Sequence, residues 1–132
     1  QGCRVIDAFL AFDPRGRLEP AVGRWLLALK QEQDSQKNLR LAWAPADFRQ
    51  PFSPATAPVV GPGSPLRPAE WAEGPSLLQV GARWRLYWDA YTKGHYGAAS
   101  SEDLMTWTDE TAQLQLPAKA RHGTVFRAPL PP

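Results

Sequence analysis

The sequence predicts an all-β fold: a β-propeller of four-stranded antiparallel blades, with about two and a half blades in its 132 residues. Three observations lead there. The chain carries 14 Pro, and its frequent turn signals leave little room for long helices. Apolar runs of strand length recur between Gly, Pro and Asp clusters. The pattern also repeats. Arg24-Trp25 and Arg83-Trp84 lie 59 residues apart, while Ala42 and Ala98, and Asp47-Phe48 and Asp103-Leu104, lie 56 apart. A repeat of roughly 55–65 residues with about four short strands is the signature of a propeller blade.

The elements follow in order. Residues 4–12 are rich in Val, Ile, Phe and Leu and read as a buried strand, closed by the turn Asp13-Pro14-Arg15-Gly16. A loop to Gly23 leads to a second strand, 24–30. Residues 31–37 read as a polar loop, 38–44 as a third strand and 45–48 as a turn. The Pro-, Gly- and Ala-rich stretch 51–72 reads as a linker, with Val59-Val60 as a short outer strand. The pattern then recurs: strands at 75–80, 83–89 and 96–100, a turn at 101–104, and an outer strand at 105–108. The blades are therefore placed at 4–60 and 73–116, with the first strand of a third at 122–128. A closed propeller needs four or more blades, so the expectation is open blade edges that pair with a missing N-terminal half or with another copy of the chain.

Composition narrows the function classes. The length fits one domain, and six Trp, five Phe and three Tyr supply core material and flat surfaces for stacking. Net charge is +2 with 13 acids dispersed among the bases, which points away from nucleic acid. The apolar runs are too short for a membrane-spanning helix. Cys3 is the single cysteine, so it forms no internal disulfide, and it reads as a buried strand residue. The compartment is left open between cytoplasmic and secreted for a soluble chain. No P-loop, dinucleotide fingerprint, nucleophile elbow or familiar zinc spacing is present.

The chemistry concentrates at three strand starts: Asp7, Glu73 and His122, expected at equivalent positions facing one axis. Two carboxyl groups so placed suit glycoside hydrolysis, where one protonates the leaving oxygen and another acts on water or the sugar. Glu73 lies beside Trp71 and is fixed by Gly74-Pro75. Asp7 is the nearby carboxylate, and His122 can orient a carboxylate or hold a water or metal. Arg121 stands beside it. Trp71, Trp88, Tyr91 and Tyr96 are candidate sugar platforms, and Trp25 and Trp84 fill the core between blades. The plainer reading, in which strand-start acids serve turns and the module binds sugar without cleaving it or is purely structural, stays open beside the catalytic one.

Taken together, Arg4-Val5-Ile6-Asp7-Ala8, Trp71-Ala72-Glu73-Gly74-Pro75-Ser76, Leu86-Tyr87-Trp88-Asp89-Ala90-Tyr91, Tyr96-Gly97-Ala98-Ala99 and Arg121-His122-Gly123-Thr124-Val125 resemble family 43 glycoside hydrolases, over nearly the whole chain and in the same order. The resemblance implies a five-bladed propeller and an inverting hydrolase of arabinose- or xylose-containing glycans. It implies Glu73 as general acid, Asp7 as the carboxylate that tunes it, and His122 near the axis, where some members hold calcium. It makes Glu32 an acid common after the second strand of its blade. No cofactor is required, and calcium is allowed. The match covers the C-terminal half of the family's catalytic domain, with the general base outside these residues. Activity is then expected to need a partner chain or self-assembly.

Overall fold

The protein is described from a computed structural model, covering residues 4–15, 24–33, 36–45, 47–117 and 119–128. The fold is all-β: among the described residues there are seven strands in two antiparallel sheets, with one 3-10 turn at Thr111–Gln113. The first sheet has the order β1 (Arg4–Asp13), β2 (Arg24–Gln33), β3 (Gln36–Ala44). The second has the order β4 (Glu73–Val80), β5 (Arg83–Ala90), β6 (His95–Ser101), β7 (Thr108–Asp109). The expectations for Cys3 and the loop 16–23 lie outside the described residues.

The two sheets share one register. In the first, Phe9 pairs with Ala28 and Ala28 with Leu41. In the second, Ser76 pairs with Tyr87 and Tyr87 with Ala98. The three matching strands are thus offset by 67, 59 and 57 residues. Both first strands are interrupted at the same place, between Ile6 and Phe9 and between Glu73 and Ser76. This register corrects the alignment read from sequence. Glu73 matches Ile6, Asp7 matches Gly74, and Ala42 matches Ala99. The two-residue bulge in each first strand hides the phase from a reading by residue type.

Side chains alternate across each strand, so each sheet has two faces. Leu26, Ala28, Leu39 and Leu41, with the half-buried Phe9 and Ala11, form the inner face of the first sheet. They pack against Leu77, Trp84, Leu86, Trp88, Ala90 and Ala99 of the second sheet, and together these make one core. Trp88 is fully buried over Gly97, where a Cβ would come within 2.0 Å of the indole.

Several elements differ from expectation. Where a polar loop was expected at 31–37, residues 31–33 and 36–37 continue the hairpin, with Gln31, Glu32 and Gln33 pairing with Asn38, Lys37 and Gln36. The stretch 51–72 is no loose linker. Ser53, Thr56 and Val59 donate backbone N–H groups to Trp43, Leu41 and Leu39 along β3, and Val60 forms a single bridge to Leu39. Val60, Leu66 and Ala72 are buried. Beyond β6 the outer strand is only Thr108–Asp109, because Asp103 Oδ1 takes the N–H groups of Met105 and Thr106 into a turn. Residues 122–128 form no strand among the described residues; they run past the second sheet by isolated bonds such as Val125 N–H to Ser76 Oγ at 3.4 Å.

Candidate functional site

A buried lysine draws the candidate acids together. Lys30 sits on β2 opposite Ile6, with its side chain 3% exposed. Its Nζ lies 2.8 Å from Glu73 Oε2, 3.0 Å from Glu32 Oε1 and 3.5 Å from Asp7 Oδ2. Burial works against the ammonium charge, but the hydrogen bonds to Glu73 and Glu32, with the field of Glu73 and Asp7, outweigh it and raise the Lys30 pKa above its ordinary value. Glu32 also meets Lys37 at 3.3 Å and Arg4 at 3.7 Å. The hydrogen bond from Lys30 is the leading cause of its lowered pKa.

The second sheet repeats this arrangement with the charges reversed. Asp89 stands opposite Glu73 on β5, the register position of Lys30 on β2, and is fully buried. Its Oδ2 accepts from Arg121 Nε at 2.8 Å and from the His122 backbone N–H at 3.3 Å. The bond to Asp89 is the main reason the Arg121 pKa is raised. In both cases a buried charge on a central strand holds a side chain of the next element: Lys30 holds Glu73, and Asp89 holds Arg121.

Asp7, Gly74 and His122 all adopt the left-handed conformation, with φ of +52°, +56° and +50°. Glycine takes this conformation without a Cβ penalty, and Asp and His are the sort of side chains that tolerate it. Two non-glycine residues held this way beside one cavity are a pattern that strained functional sites share. The cavity has a volume of about 410 Å³ and is lined by Asp7, Lys30, Glu73, Pro75, His122 and the Gly123 backbone, among others. The structure therefore brings Asp7, Glu73 and His122 to one place, as the sequence suggested, and adds Lys30 and Asp89.

The aromatic candidates divide. Trp88 is buried in the core, so its ring offers no face to a sugar, which corrects the platform reading. Trp71 and Tyr91 are half-buried, with ring centroids 6.3 Å apart. The Lys37 ammonium lies 5.2 and 5.1 Å from the two ring centres, and Arg121 lies 5.8 Å from that of Tyr91. These rings form a cationic-aromatic wall, so a sugar stacking there would compete with Lys37. Tyr96 turns its hydroxyl to the Gly123 N–H and helps to seat the His122 segment.

Glu73, Asp89 and His122 each place one ligand atom within 4.8 Å of the others, and Asp89 Oδ1 is buried without a hydrogen-bond partner. Calcium nevertheless suits these residues poorly. It takes 6–8 oxygen ligands, whereas Lys30 and Arg121 already set cations against two of the three groups.

The sequence reading missed Lys30 and Asp89 because a charge at the end of an apolar run looks like the strand's exit to solvent. The available signal was the 59-residue offset of Arg24-Trp25 and Arg83-Trp84, which carries Lys30 onto Asp89. Comparison of the chain with known family models, curated proteins and solved structures gave no match.

Proposed function

We propose that this chain forms part of an inverting glycoside hydrolase acting on arabinose- or xylose-containing glycans, built as a family 43-like five-bladed propeller. The observation that supports this most is the convergence of Asp7, Glu73 and His122 on one cavity, with two of the three in the left-handed conformation. The repeated register of the two sheets is consistent with successive blades. Glu73 is the general acid and Asp7 the carboxylate beside it. The general base comes from outside these residues, from an N-terminal half or from another copy. No metal takes part in this reading. The test is hydrolysis of aryl arabinofuranosides and xylosides by wild type and Glu73→Gln. Loss of a general acid lowers the rate on the order of 10²–10⁴-fold, whereas equal rates contradict the catalytic reading.

One observation favours a second reading, a carbohydrate-binding module. Lys30 donates to Glu73 Oε2 at 2.8 Å, so one oxygen of the proposed acid is already engaged, an arrangement that also suits a group that binds rather than donates a proton. Sugar binding without cleavage, unchanged in Glu73→Gln, identifies this module.

A further inference from the structure

We propose that Glu73, Asp89 and His122 bind a zinc-type divalent ion through one imidazole nitrogen and two carboxylate oxygens. Their ligand atoms lie within 4.8 Å of one another. A second observation is independent of that clustering. Asp89 is 0% exposed, yet its Oδ1 has no hydrogen-bond partner among the described residues. A buried carboxylate oxygen left in this way is costly, and a bound ion offsets that cost. The other oxygen of each carboxylate is already held. Lys30 donates to Glu73 Oε2 at 2.8 Å, and Arg121 donates to Asp89 Oδ2 at 2.8 Å. Outer hydrogen bonds of this kind orient metal-binding carboxylates and leave the second oxygen for the ion. His122 is placed by backbone bonds. Its N–H donates to Asp89 Oδ2 at 3.3 Å, and the Gly123 N–H donates to the Tyr96 hydroxyl. Neither bond uses the imidazole.

The donor set selects the ion. One nitrogen with two carboxylate oxygens suits zinc, which takes four ligands at about 2.0–2.2 Å, whereas calcium takes 6–8 oxygens. Glu73 and His122 both line the cavity of about 410 Å³, so the fourth zinc position opens there to a water. Lys30 and Arg121 do not exclude the ion. Asp7, Glu32, Glu73 and Asp89 are balanced by Lys30, Lys37, Arg4 and Arg121, which pair with them, so the group as a whole is near neutral. The first sheet cannot repeat the site, because Lys30 stands at the register position of Asp89. One consequence rests on the proposed function. Zinc and Lys30 together take both oxygens of Glu73 and leave none to carry a proton, so the metal-loaded chain is the inhibited form.

Binding itself is tested without sugar. Isothermal titration of Zn²⁺ into the untagged, chelator-stripped chain should show one ion per chain with a Kd on the order of 1–10 µM. Ca²⁺ at about 1 mM should give no binding heat. His122→Ala removes an exposed side chain, so the fold tolerates it, and it should weaken Zn²⁺ binding at least about tenfold. Glu73→Gln should do the same. The chain has two His and one Cys, so His95→Ala and Cys3→Ser are the controls and should bind Zn²⁺ as wild type does. No saturable Zn²⁺ uptake by wild type overturns the proposal. So does uptake that survives His122→Ala unchanged, or uptake lost in either control. Zn²⁺ bound as expected by a chain that cleaves no glycoside leaves the site standing and removes only the inhibition.

Discussion

At positions 10, 25, 27 and 42 the first sheet carries Leu, Trp, Leu and Ala, and at 77, 84, 86 and 99 the second carries the same four residues in the same register. In the second sheet these side chains are 0–2% exposed; in the first, Leu10 is 44% exposed, Trp25 and Leu27 are half-buried and Ala42 is buried. On the opposite faces the sequences part. Leu26, Ala28 and Lys30 correspond to Arg85, Tyr87 and Asp89. The first set packs on a neighbouring sheet, while the second meets the polar segment around Glu110 and Arg121. The two sheets are thus repeats on one face, which in the second sheet packs against the first. They differ on the other face, where one continues the stack and the other is finished with charge.

The largest expected effect comes from breaking the link between the sheets. Lys30→Met removes the cation that Glu73, Glu32 and Asp7 share and leaves those carboxylates facing one another. Breaking a buried pair by deleting one partner costs about 3 kcal/mol or more, read as a drop in denaturant midpoint. A variant within 0.5 kcal/mol of wild type (about the scatter of surface substitutions) would show that the link carries no load.

Gly97→Ala sharpens the same comparison inside the core. The new methyl would lie 2.0 Å from the fully buried Trp88 ring, so the sheet must shift or the indole must move. The expected loss is about 2–3 kcal/mol, the upper part of the overpacking range. In the first sheet Arg40 occupies the corresponding place and sends its side chain outward to the Thr56 carbonyl at 2.9 Å.

A smaller effect follows from pH. The folded-state pKa of Lys30 is raised above its ordinary 10.5, so its contribution to stability is fully present below that value. It is lost as the pH climbs through the higher folded value. Wild type should therefore lose stability in the alkaline range by a component that Lys30→Met lacks, measured by urea unfolding at stepped pH. Parallel alkaline curves for the two proteins would contradict this.

Much of the fold was legible because strand-length apolar runs and the Arg-Trp repeat at 24–25 and 83–84 mark strands directly. All six longer strands were located by them, to within a few residues at their ends. What stayed hidden was long-range. Lys30 finds Glu73 at a separation of 43 residues, and no local pattern announces the pair. The bulges at Asp7 and Gly74 shift the phase of two strands without changing their composition. Met105 to Trp107 look like a strand, but Asp103 captures their amides first. Val125 and Phe126 look like another, yet Phe126 is 75% exposed and the segment has no strand partner among the described residues. Of the site, Asp7, Glu73 and His122 were singled out as strand starts; Glu73 begins β4, Asp7 lies in a bulge within β1, and His122 begins no strand among the described residues. The charges that position them were not.

The proposed function requires that Asp7, Glu73 and His122 face one sugar-binding cavity. The most direct measurement is a titration of xylo- and arabino-oligosaccharides into the isotope-labelled chain, followed by amide chemical shifts. Saturable shifts centred on residues 7–9, 30, 73–75 and 122–124, which line the cavity, are expected. Saturable shifts centred elsewhere, for instance in the groove between Pro58 and Trp107, or no shifts at millimolar sugar, would contradict it.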